Sequence, residues 1–444
     1  MAKIGFLEKS LIPGIKKMVL ENGIVVFLEE LLERRKVVFS VGIGVGSRDE
    51  TGELQGENSL LTAIDSHKLH GISHFVEHIQ FHSNRFRTAD EITENAEYGG
   101  AKIGAGTDFD STAFYVKGYP RYLSQNIRII YEAITNFDYK DEEIERERQE
   151  ILTELRKYID SPGVHYLDNL FVPALLRKTW AERPVPGIPK TIKNITKEEL
   201  IAFKKKFYAP ENMAIFVCGK FDAECITKAI EKTFGRLKPR SFKPKTKIID
   251  LKNRRKEIFR KRSGLELAYM AMGYKVFGFN HSDALKLMIL ASVLSAGMSS
   301  RLYKKLRGEL GIGYDELDGV YDDYGGIGAF YITVGGFDPG RFKETKSFVL
   351  KELEDLKTNL VSKEEFIKAK NMFLSENDDE LDDLEKRSQL LSDFYFRKSI
   401  FDPRNFKKHI SKISREALRR TAQKYFSDKY TLTVLAPKNF SDKN

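Results

Sequence analysis

Four of the eight histidines in the 444-residue chain lie in one short stretch, HGISHFVEHIQFH, residues 70 to 82. Within it, His74, Glu77 and His78 form the pattern H-x-x-E-H. On a helix, His74 and His78 are one turn apart on the same face, so both imidazoles can bind one metal ion. The run SHFVEHIQF contains no Gly or Pro, and Ser73 is a residue type that caps helices. We therefore predict a helix over this run with Ser73 as its N-cap.

Glu77 directly precedes the second histidine of the pattern, so its carboxylate is expected beside the ion rather than on it. This position suits a general base that acts on a water held at the ion, and imidazole and carboxylate ligands around an open position are typical of catalytic zinc. Histidines four residues apart also arise by chance on amphipathic helices, and His78 with His82 is a rival pair. Only His74 and His78 have a carboxylate at the catalytic offset.

A third ligand is available in the acidic segment IERERQEILTELRKYIDSP, residues 144 to 162. On a helix Glu147 and Glu154 are two turns apart on one face, and Glu143 and Glu150 form a similar stripe. The alternative interpretation is a solvated face of Glu and Arg side chains linked by ion pairs four residues apart.

An internal repeat bears on this choice. AFYVKGYPRYLSQNIRIIYEAI from residue 113 resembles AFYITVGGFDPGRFKETKSFVL from residue 329, and DEEIERERQEILTE from residue 141 resembles KEEFIKAKNMFLSE from residue 363. KKFYAPENMAIFVCG from residue 205 matches QKYFSDKYTLTVLAP from residue 423. Three similarities in the same order, at offsets of 216 to 222 residues, predict two copies of one module of about 220 residues.

The second copy has kept only part of the acidic set. Glu154 corresponds to Glu376, but Glu147 corresponds to Ala369, and no second H-x-x-E-H occurs. An enzyme that duplicated its module and kept a single site would show this asymmetry.

The expected fold class is α+β, because strand-like runs and long helical runs occur without regular βαβ alternation. Asn22-Gly23 between two apolar runs predicts a β-hairpin. The basic, proline-containing stretch GRLKPRSFKPKTK predicts a linker. We expect a first module at 1–234 with the zinc site, a linker at 235–250, and a second module at 251–444.

Composition limits the other classes of function. A hydrophobic content of 41% supports packed cores, and two cysteines, Cys218 and Cys225, exclude a disulfide framework and fit a reducing compartment. Both are expected to be inert, partly buried thiols. No apolar run approaches the roughly 18 residues that cross a membrane, and the first residues do not resemble a signal peptide. We expect a cytoplasmic protein without a membrane partner.

The net charge of +10 has two interpretations. It could indicate an anionic partner, but the lysines look scattered and 64 acidic residues dilute them, which favours a solvated charged surface. A nucleic-acid-binding protein would need a clustered basic face or a known motif. We find neither in the sequence and expect no nucleic-acid partner.

The stretch HFVEHIQFHSNRFRTADEI resembles that of the inverzincin zinc peptidases, the family of pitrilysin, insulin-degrading enzyme and mitochondrial processing peptidase. The resemblance implies one zinc ion per chain, held by His74, His78 and Glu154. The local match ERERQEILTE sets the third ligand at Glu154, with Glu147 as the family's upstream glutamate that orients a histidine or tunes the site. It also implies the activity of a metalloendopeptidase in which Glu77 is the base.

The second half of the chain extends the resemblance. SAGMSSRLYKKLRGELGIGY, residues 295 to 314, is similar to a family segment whose arginine and tyrosine reach the active site from the opposite half. These map to Arg307 and Tyr314, and guanidinium and phenol groups are donors suited to a developing oxyanion. Without the family, the two residues would be interpreted as an ordinary surface Arg and a core Tyr.

The resemblance covers essentially the whole chain, whose length matches the smaller family members. In these, two homologous modules form half of a clam-shaped chamber that admits unfolded peptides. Because one chain carries both the zinc motif and the Arg/Tyr pair, it implies a homodimer. We expect a zinc-dependent endopeptidase that hydrolyses unfolded peptides or processes precursor segments. The alternative is a non-catalytic structural or peptide-binding subunit of the same family.

Two features depart from the family pattern. The strand that pairs with substrate usually has Asn-Ala, and here GGAKIGAGTDFDST has Gly104 and Ala105, so any Asn contact is lost while backbone pairing stays possible. Residues 51–70 form a longer stretch than usual before the motif. This stretch is polar and typical of a loop, so His67 and His70 are expected at the surface.

Overall fold

Runs of β-branched and aromatic residues form two sheets in the computed structural model, which describes residues 14–50, 69–240 and 250–441. The strands are β1 (Lys16–Val19), β2 (Val25–Glu30), β3 (Val37–Ile43), β4 (Lys102–Thr107), β5 (Thr112–Gly118), β6 (Met213–Gly219), β7 (Lys256–Arg262), β8 (Ala268–Phe277), β9 (Glu316–Asp323), β10 (Ile327–Phe337) and β11 (Thr431–Pro437).

The helices of the first half are α1 (Ile72–His78), α2 (Ala89–Tyr98), α3 (Leu123–Thr135), α4 (Asp141–Asp160), α5 (Pro162–Val164), α6 (Val172–Leu175), α7 (Pro189–Ile192), α8 (Lys197–Phe207) and α9 (Ala223–Lys232). Those of the second half are α10 (Ala284–Ser295), α11 (Phe342–Thr358), α12 (Lys363–Asp382), α13 (Leu384–Phe396), α14 (Phe406–Ile410) and α15 (Arg415–Tyr425). Two π-helical turns, His165–Phe171 and Tyr303–Glu309, complete the longer helical segments.

The chain packs as two compact units that exchange short segments. Unit 1 contains Met1–Leu155, Pro184–Lys247 and Leu381–Phe396, and unit 2 contains Arg156–Arg183, Ile248–Glu380 and Arg397–Asn444. Each unit therefore includes one segment from the other half of the sequence. Most of the predicted linker falls on residues 241–249, which lie outside the described residues, so the division at 235–250 stays a prediction.

The two sheets have matching topologies. The order in unit 1 is β1-β2-β6-β3-β5-β4, and in unit 2 it is β7-β11-β8-β10-β9. Without β1, each strand of unit 1 has a counterpart in the same position in unit 2, and β6 runs parallel to β2 as β11 runs parallel to β7. The predicted α+β fold with two copies of one module is confirmed.

The core of unit 1 lies on both faces of its sheet. All seven residues of β3 and of β6 are buried, as expected for strands covered on both sides. Helices α1 and α3 cover one face, and α13 packs on β3 and β6 from the other. Arg387 of α13 forms a bidentate ion pair with buried Glu29 of β2, with both N–O distances 2.7 Å, which anchors the exchanged helix.

The predicted hairpin is present at the start of unit 1. Strands β1 and β2 pair antiparallel, with Val19 opposite Val25, and Gly23 takes a left-handed φ of 91° that favours glycine. The Asn22 side chain donates to the carbonyls of Phe234 and Leu237 at 2.8 and 3.0 Å.

Unit 2 uses apolar residues at most inward positions. All eleven residues of β10 and all seven of β11 are buried, and α10, with the sequence ALKLMILASVLS, is apolar nearly all round. The helical segment that contains α6 packs on β8 and β11.

The two cysteines differ in exposure. Cys218 is fully buried in β6, whereas Cys225 is exposed on α9, and both are free thiols. The prediction that both are partly buried is therefore wrong. Across the described residues, no helix combines the length and apolar character needed to traverse a lipid bilayer.

Candidate active site

The predicted helix over the histidine motif is present, but its cap is not Ser73. Helix α1 starts after Gly71, whose φ is 89°, and Ser73 lies inside the first turn. The buried carboxylate of Glu50 accepts hydrogen bonds from the backbone N–H groups of Gly71 and Ser73, at 2.9 and 2.8 Å. A carboxylate from an earlier part of the chain therefore satisfies the free N–H groups at the positive end of the helix.

His70 is not a surface residue as predicted. Only 4% of it is exposed, and its Nδ1 lies 3.7 Å from a Glu50 carboxylate oxygen. His70 directly precedes Gly71, whose N–H donates to the buried carboxylate of Glu50, so His70 is buried beside the same carboxylate. His67 and most of the 51–70 stretch lie outside the described residues.

Three donor atoms from α1 and α4 converge. The Nε2 atoms of His74 and His78 are 3.2 Å apart, and Glu154 Oε2 lies 3.7 Å from the first and 3.6 Å from the second. Ligand atoms at 2.0–2.1 Å from a tetrahedral zinc ion are about 3.3 Å from one another. The spacing and the two imidazoles with one carboxylate therefore fit a zinc ion.

A second carboxylate, that of Glu77, lies beside the same imidazole nitrogens. Glu77 Oε2 is 3.8 Å from His74 Nε2, and the metal-binding atoms of His74, Glu77 and His78 all lie within 4.8 Å of one another. Glu77 Oε2 also accepts a hydrogen bond from Thr107 Oγ1 at 3.4 Å. Glu77 and Glu154 therefore both offer an oxygen for the third ligand position, and the Glu154 oxygen lies within 3.7 Å of both imidazole nitrogens.

Glu147 connects two histidines. One carboxylate oxygen accepts from His78 Nδ1 at 2.8 Å, and the other accepts from His82 Nε2 at 2.7 Å. A proton on His78 Nδ1 leaves Nε2 with its lone pair directed toward His74 and Glu154, which is the tautomer a metal ligand needs. His82, the second member of the rival pair, is not in the group of metal-binding atoms but helps to hold Glu147.

Burial and hydrogen bonds separate the charges of these groups. Burial and the neighbouring His78 lower the pKa of His74 to about 4. Burial also acts to lower the pKa of His78, but hydrogen bonds to Glu147 and Glu154 outweigh it and raise the value to about 10. Burial also acts to raise the pKa of Glu147, but the hydrogen bonds from His78 and His82 outweigh it and lower the value to about 2. These values apply to the ion-free site, and His78 must release the proton on Nε2 before it can bind a metal ion.

The carboxyl of Glu77 has a different balance. Burial raises its pKa to about 7, against the opposing effects of His78 and the Thr107 hydrogen bond. A carboxyl group with a pKa near neutrality can take up and release a proton at physiological pH.

A buried lysine that no sequence pattern indicates supports the end of α1. Lys204 of α8 is completely buried and donates to Gln80 Oε1, to the Asn136 carbonyl and, at 2.9 Å, to the Tyr139 hydroxyl. Gln80 in turn donates to the carbonyl of Val76 in α1. The motif HIQF shows Gln80 in sequence, but a lysine near residue 200 gives no sign that it packs there.

The Gly104-Ala105 dipeptide lies on β4, the edge strand of the unit 1 sheet. Gly104 is opposite Tyr115 of β5, and a Cβ atom on Gly104 would approach the Tyr115 ring to 2.4 Å. The tyrosine ring therefore occupies the space that an asparagine side chain would need, which accounts for glycine at this position.

Arg307 and Tyr314 lie in unit 2 and contact each other. The Arg307 guanidinium carbon is 5.1 Å from the centre of the Tyr314 ring, and Nη1 donates to the Tyr314 carbonyl at 3.1 Å. The Tyr314 side chain is 74% exposed, so it is not the core residue that its type would suggest.

Comparison with known proteins identifies matching families for both halves. Residues 62–187 match the family described as insulinase (peptidase family M16), and residues 194–373 match the peptidase M16 inactive domain. The first match contains the H-x-x-E-H motif and the glutamates of α4, and the second contains Arg307 and Tyr314.

Relatives and a solved structure agree. The chain is 27% identical over 330 residues to the uncharacterized zinc protease YmxG of Bacillus subtilis, covering 71% of this chain and 74% of that protein. It is 25% identical over 439 residues to zinc protease PqqE of Helicobacter pylori, covering 96% and 93%. The crystal structure of a protease from Helicobacter pylori shares the fold, with a TM-score of 0.84 and 22% identity over 96% of this chain and 100% of that one.

Proposed function

Since the chain belongs to the M16 (insulinase) peptidase family, we propose that it is a zinc-dependent endopeptidase that hydrolyses unfolded peptides or precursor segments. The main support is the convergence of two imidazole nitrogens and one carboxylate oxygen within 3.2 to 3.7 Å. His74, His78 and Glu154 hold the ion. When bound, zinc supplies a Lewis acid at this position.

The protein's own groups carry the proton transfers. Glu77 removes a proton from the attacking water and returns it to the leaving amine, a role that its pKa of about 7 suits. Glu147 keeps His78 in the tautomer that directs Nε2 to the ion, and His82 holds the other oxygen of Glu147.

The substrate is proposed to add as an extended strand. The edge position of β4, which contains Gly104 and Ala105, leaves backbone groups for pairing with a peptide. Arg307 and Tyr314 are proposed as donors to the substrate and the developing oxyanion, on the strength of their motif and the exposed Tyr314 ring.

The decisive experiment replaces the base and leaves the ligands. The Glu77→Gln variant should retain zinc, measured by mass spectrometry of the metal, and lose hydrolysis of a quenched peptide. Glu150→Gln, an exposed carboxylate on α4, is the matched control and should keep both. Turnover in Glu77→Gln would disprove the role of Glu77, and an absence of zinc in the wild-type protein would favour a non-catalytic subunit.

We also propose that the protein is a homodimer, because one chain carries both the zinc motif and the Arg/Tyr pair. Light scattering should then give about twice the 51.0 kDa chain mass. A monomer with full activity would contradict this proposal.

A further inference from the structure

A basic cavity lies at one end of the unit 2 sheet, apart from the histidine motif of unit 1. It has a volume of about 270 Å³ and lies where β7 and β11 begin and β8 ends, beside the turn that follows α6. Its cationic lining residues are Arg177, Lys178, Lys252, Arg254, Lys256 and Lys275. The one acidic lining residue is Asp250.

Within the described residues, the positive charges of this cavity are only partly offset by carboxylates. None of the six cations has a carboxylate oxygen within 4.0 Å in those parts of the chain, and nearby Glu182 accepts from the backbone N–H of Lys178 at 2.7 Å. Burial lowers the pKa of Lys256 and that of Lys275; Arg177 and Arg254 act in the same direction, and the carboxylates of Glu182 and Asp250 act against it. Six cations that outnumber the nearby carboxylates of Asp250 and Glu182 create a positive potential that attracts an anion.

The cavity is held in shape by the backbone. The Asn253 side chain accepts from the N–H of Lys275 at 2.8 Å and donates to its carbonyl at 2.9 Å, which ties the 250–254 segment to β8. The Lys256 N–H donates to the Tyr430 carbonyl at 3.0 Å, so the start of β7 is also fixed. An anion would therefore meet a site that is largely formed before it binds.

The segment that leads into this cavity is strongly basic. Residues 236–256 contain ten Lys or Arg residues and one acid, Asp250. This segment alone accounts for nearly all of the net charge of +10. Three of these ten cations, Lys252, Arg254 and Lys256, line the cavity.

We propose that this cavity binds a compact multivalent oxyanion of the oligophosphate class. Lys and Arg are the usual donors to phosphate oxygens, and Thr179 and Thr431 add hydroxyl groups to the lining. The volume lies just below the range of pockets that take drug-sized ligands, so the ligand is small. Six cations around so small a space match the closely spaced charges of linked phosphates, whereas a long polyanion would need a basic track.

The test measures binding of inorganic tripolyphosphate to the full-length zinc-loaded protein by calorimetry. We expect one site per chain, with an affinity that falls as salt is raised. The double variant Lys256→Gln/Lys275→Gln should bind at least about tenfold more weakly. The control Lys408→Gln/Lys412→Gln removes two exposed charges from unit 2 and should stay within about twofold. Capture of zinc by tripolyphosphate is common to all variants and cancels in the comparison.

A second double variant guards against misfolding. Arg177→Gln/Arg254→Gln changes two exposed side chains of the same cavity and should weaken binding to a similar degree. Absence of binding to the wild-type protein at millimolar tripolyphosphate, or equal losses in cavity and control variants, would overturn the proposal. A single-stranded oligonucleotide that binds more tightly than tripolyphosphate, and that the cavity variants weaken, would replace it with a nucleic-acid site.

Discussion

Helices α4 and α12 are equivalent in the two units, but the side chains at their matching buried positions differ in polarity. Both have twenty residues and follow the same order of strand and helix. Glu147 of α4 accepts bonds from His78 and His82, whereas its counterpart in α12, Ala369, is completely buried among apolar side chains. One module supports either a polar cluster or an apolar core at this position.

Helices α8 and α15 show the same contrast. Lys204 is completely buried beneath α1, and its counterpart in α15, Ala422, is completely buried in the core of unit 2. A buried charge is tolerated only where partners satisfy it, as Gln80, Asn136 and Tyr139 do for Lys204. At these two positions unit 2 has buried alanines where unit 1 has polar residues, whereas Glu376 keeps the acid of Glu154.

The largest effect is expected from removing the ligand that α4 contributes. Glu154→Gln should reduce bound zinc to background and abolish peptide hydrolysis with it, because only two imidazoles remain to hold the ion. Metal analysis and a quenched-peptide assay on the same sample measure both. Zinc retained at one ion per chain would show that Glu77 or another carboxylate is the third ligand, and Glu150→Gln serves as the control.

The reverse exchange tests whether α12 accepts a carboxylate. Ala369→Glu places an unpaired charge in the apolar core of unit 2 and should lower the free energy of unfolding by about 3–5 kcal/mol. The control Ile367→Glu, on an exposed position of the same helix, should change it by less than about 0.5 kcal/mol. Chemical denaturation followed by circular dichroism measures both variants. Equal stability of the Ala369→Glu and Ile367→Glu variants would show that the core of unit 2 accepts an unpaired carboxylate at this position.

A smaller effect is expected when α4 is made like α12 at one position. Glu147→Ala leaves His78 without the acceptor for Nδ1, and loss of such a partner reduces metal affinity by about 10–100-fold. Competition with a zinc-binding dye measures the affinity, and Glu150→Ala is the control. An unchanged affinity would show that Glu147 does not orient His78.

The smallest effect is expected at the buried lysine. Lys204→Met leaves acceptors on Gln80 and Asn136 unsatisfied, at about 1–3 kcal/mol each, while removing the cost of burying an ammonium group. The net loss of stability should be about 1–2 kcal/mol. Thermal and denaturant unfolding measure it, and exposed Lys412→Met is the control.

The same variant predicts a dependence on pH. Burial lowers the pKa of Lys204 well below its usual value, so the folded protein binds fewer protons there than the unfolded chain, whose lysines titrate near about 10.4. The stability of the wild type relative to Lys204→Met should therefore rise as pH rises through this window. The gain is complete above about pH 10.4 and is lost as pH falls through the folded pKa. A difference that stays constant with pH would contradict the lowered pKa.

Local spacing was sufficient to predict several features of the site. The four-residue interval places His74 and His78 on one face of α1, and the seven-residue interval places Glu147 and Glu154 on one face of α4, because both follow the helical period. The internal repeat predicted two copies of one α+β module and aligned Ala369 of the second copy with Glu147 of the first. That these residues bind zinc and cleave peptides stays a prediction.

Other features depend on contacts that no local pattern contains. Glu50 caps α1 at a sequence separation of 21 residues from Gly71. Lys204 donates to Gln80 at a separation of 124 residues, and His82 bonds to Glu147 at a separation of 65 residues. The errors over Ser73 and His70 have this common origin. A polar stretch was interpreted as exposed because the partner that satisfies it lies elsewhere in the chain.

By itself the sequence determined which residues share a helix face, where the module repeats, and which copy carries the histidines and glutamates, since these follow from period and order along the chain. Only the tertiary structure decided that two helices bring three donor atoms within 3.7 Å, and that buried Glu50 and Lys204 hold the first of those helices. It also placed six cations of unit 2 around one cavity. Polar residues that become buried must form fixed hydrogen bonds, and which residues are buried depends on the packing of segments far apart in sequence.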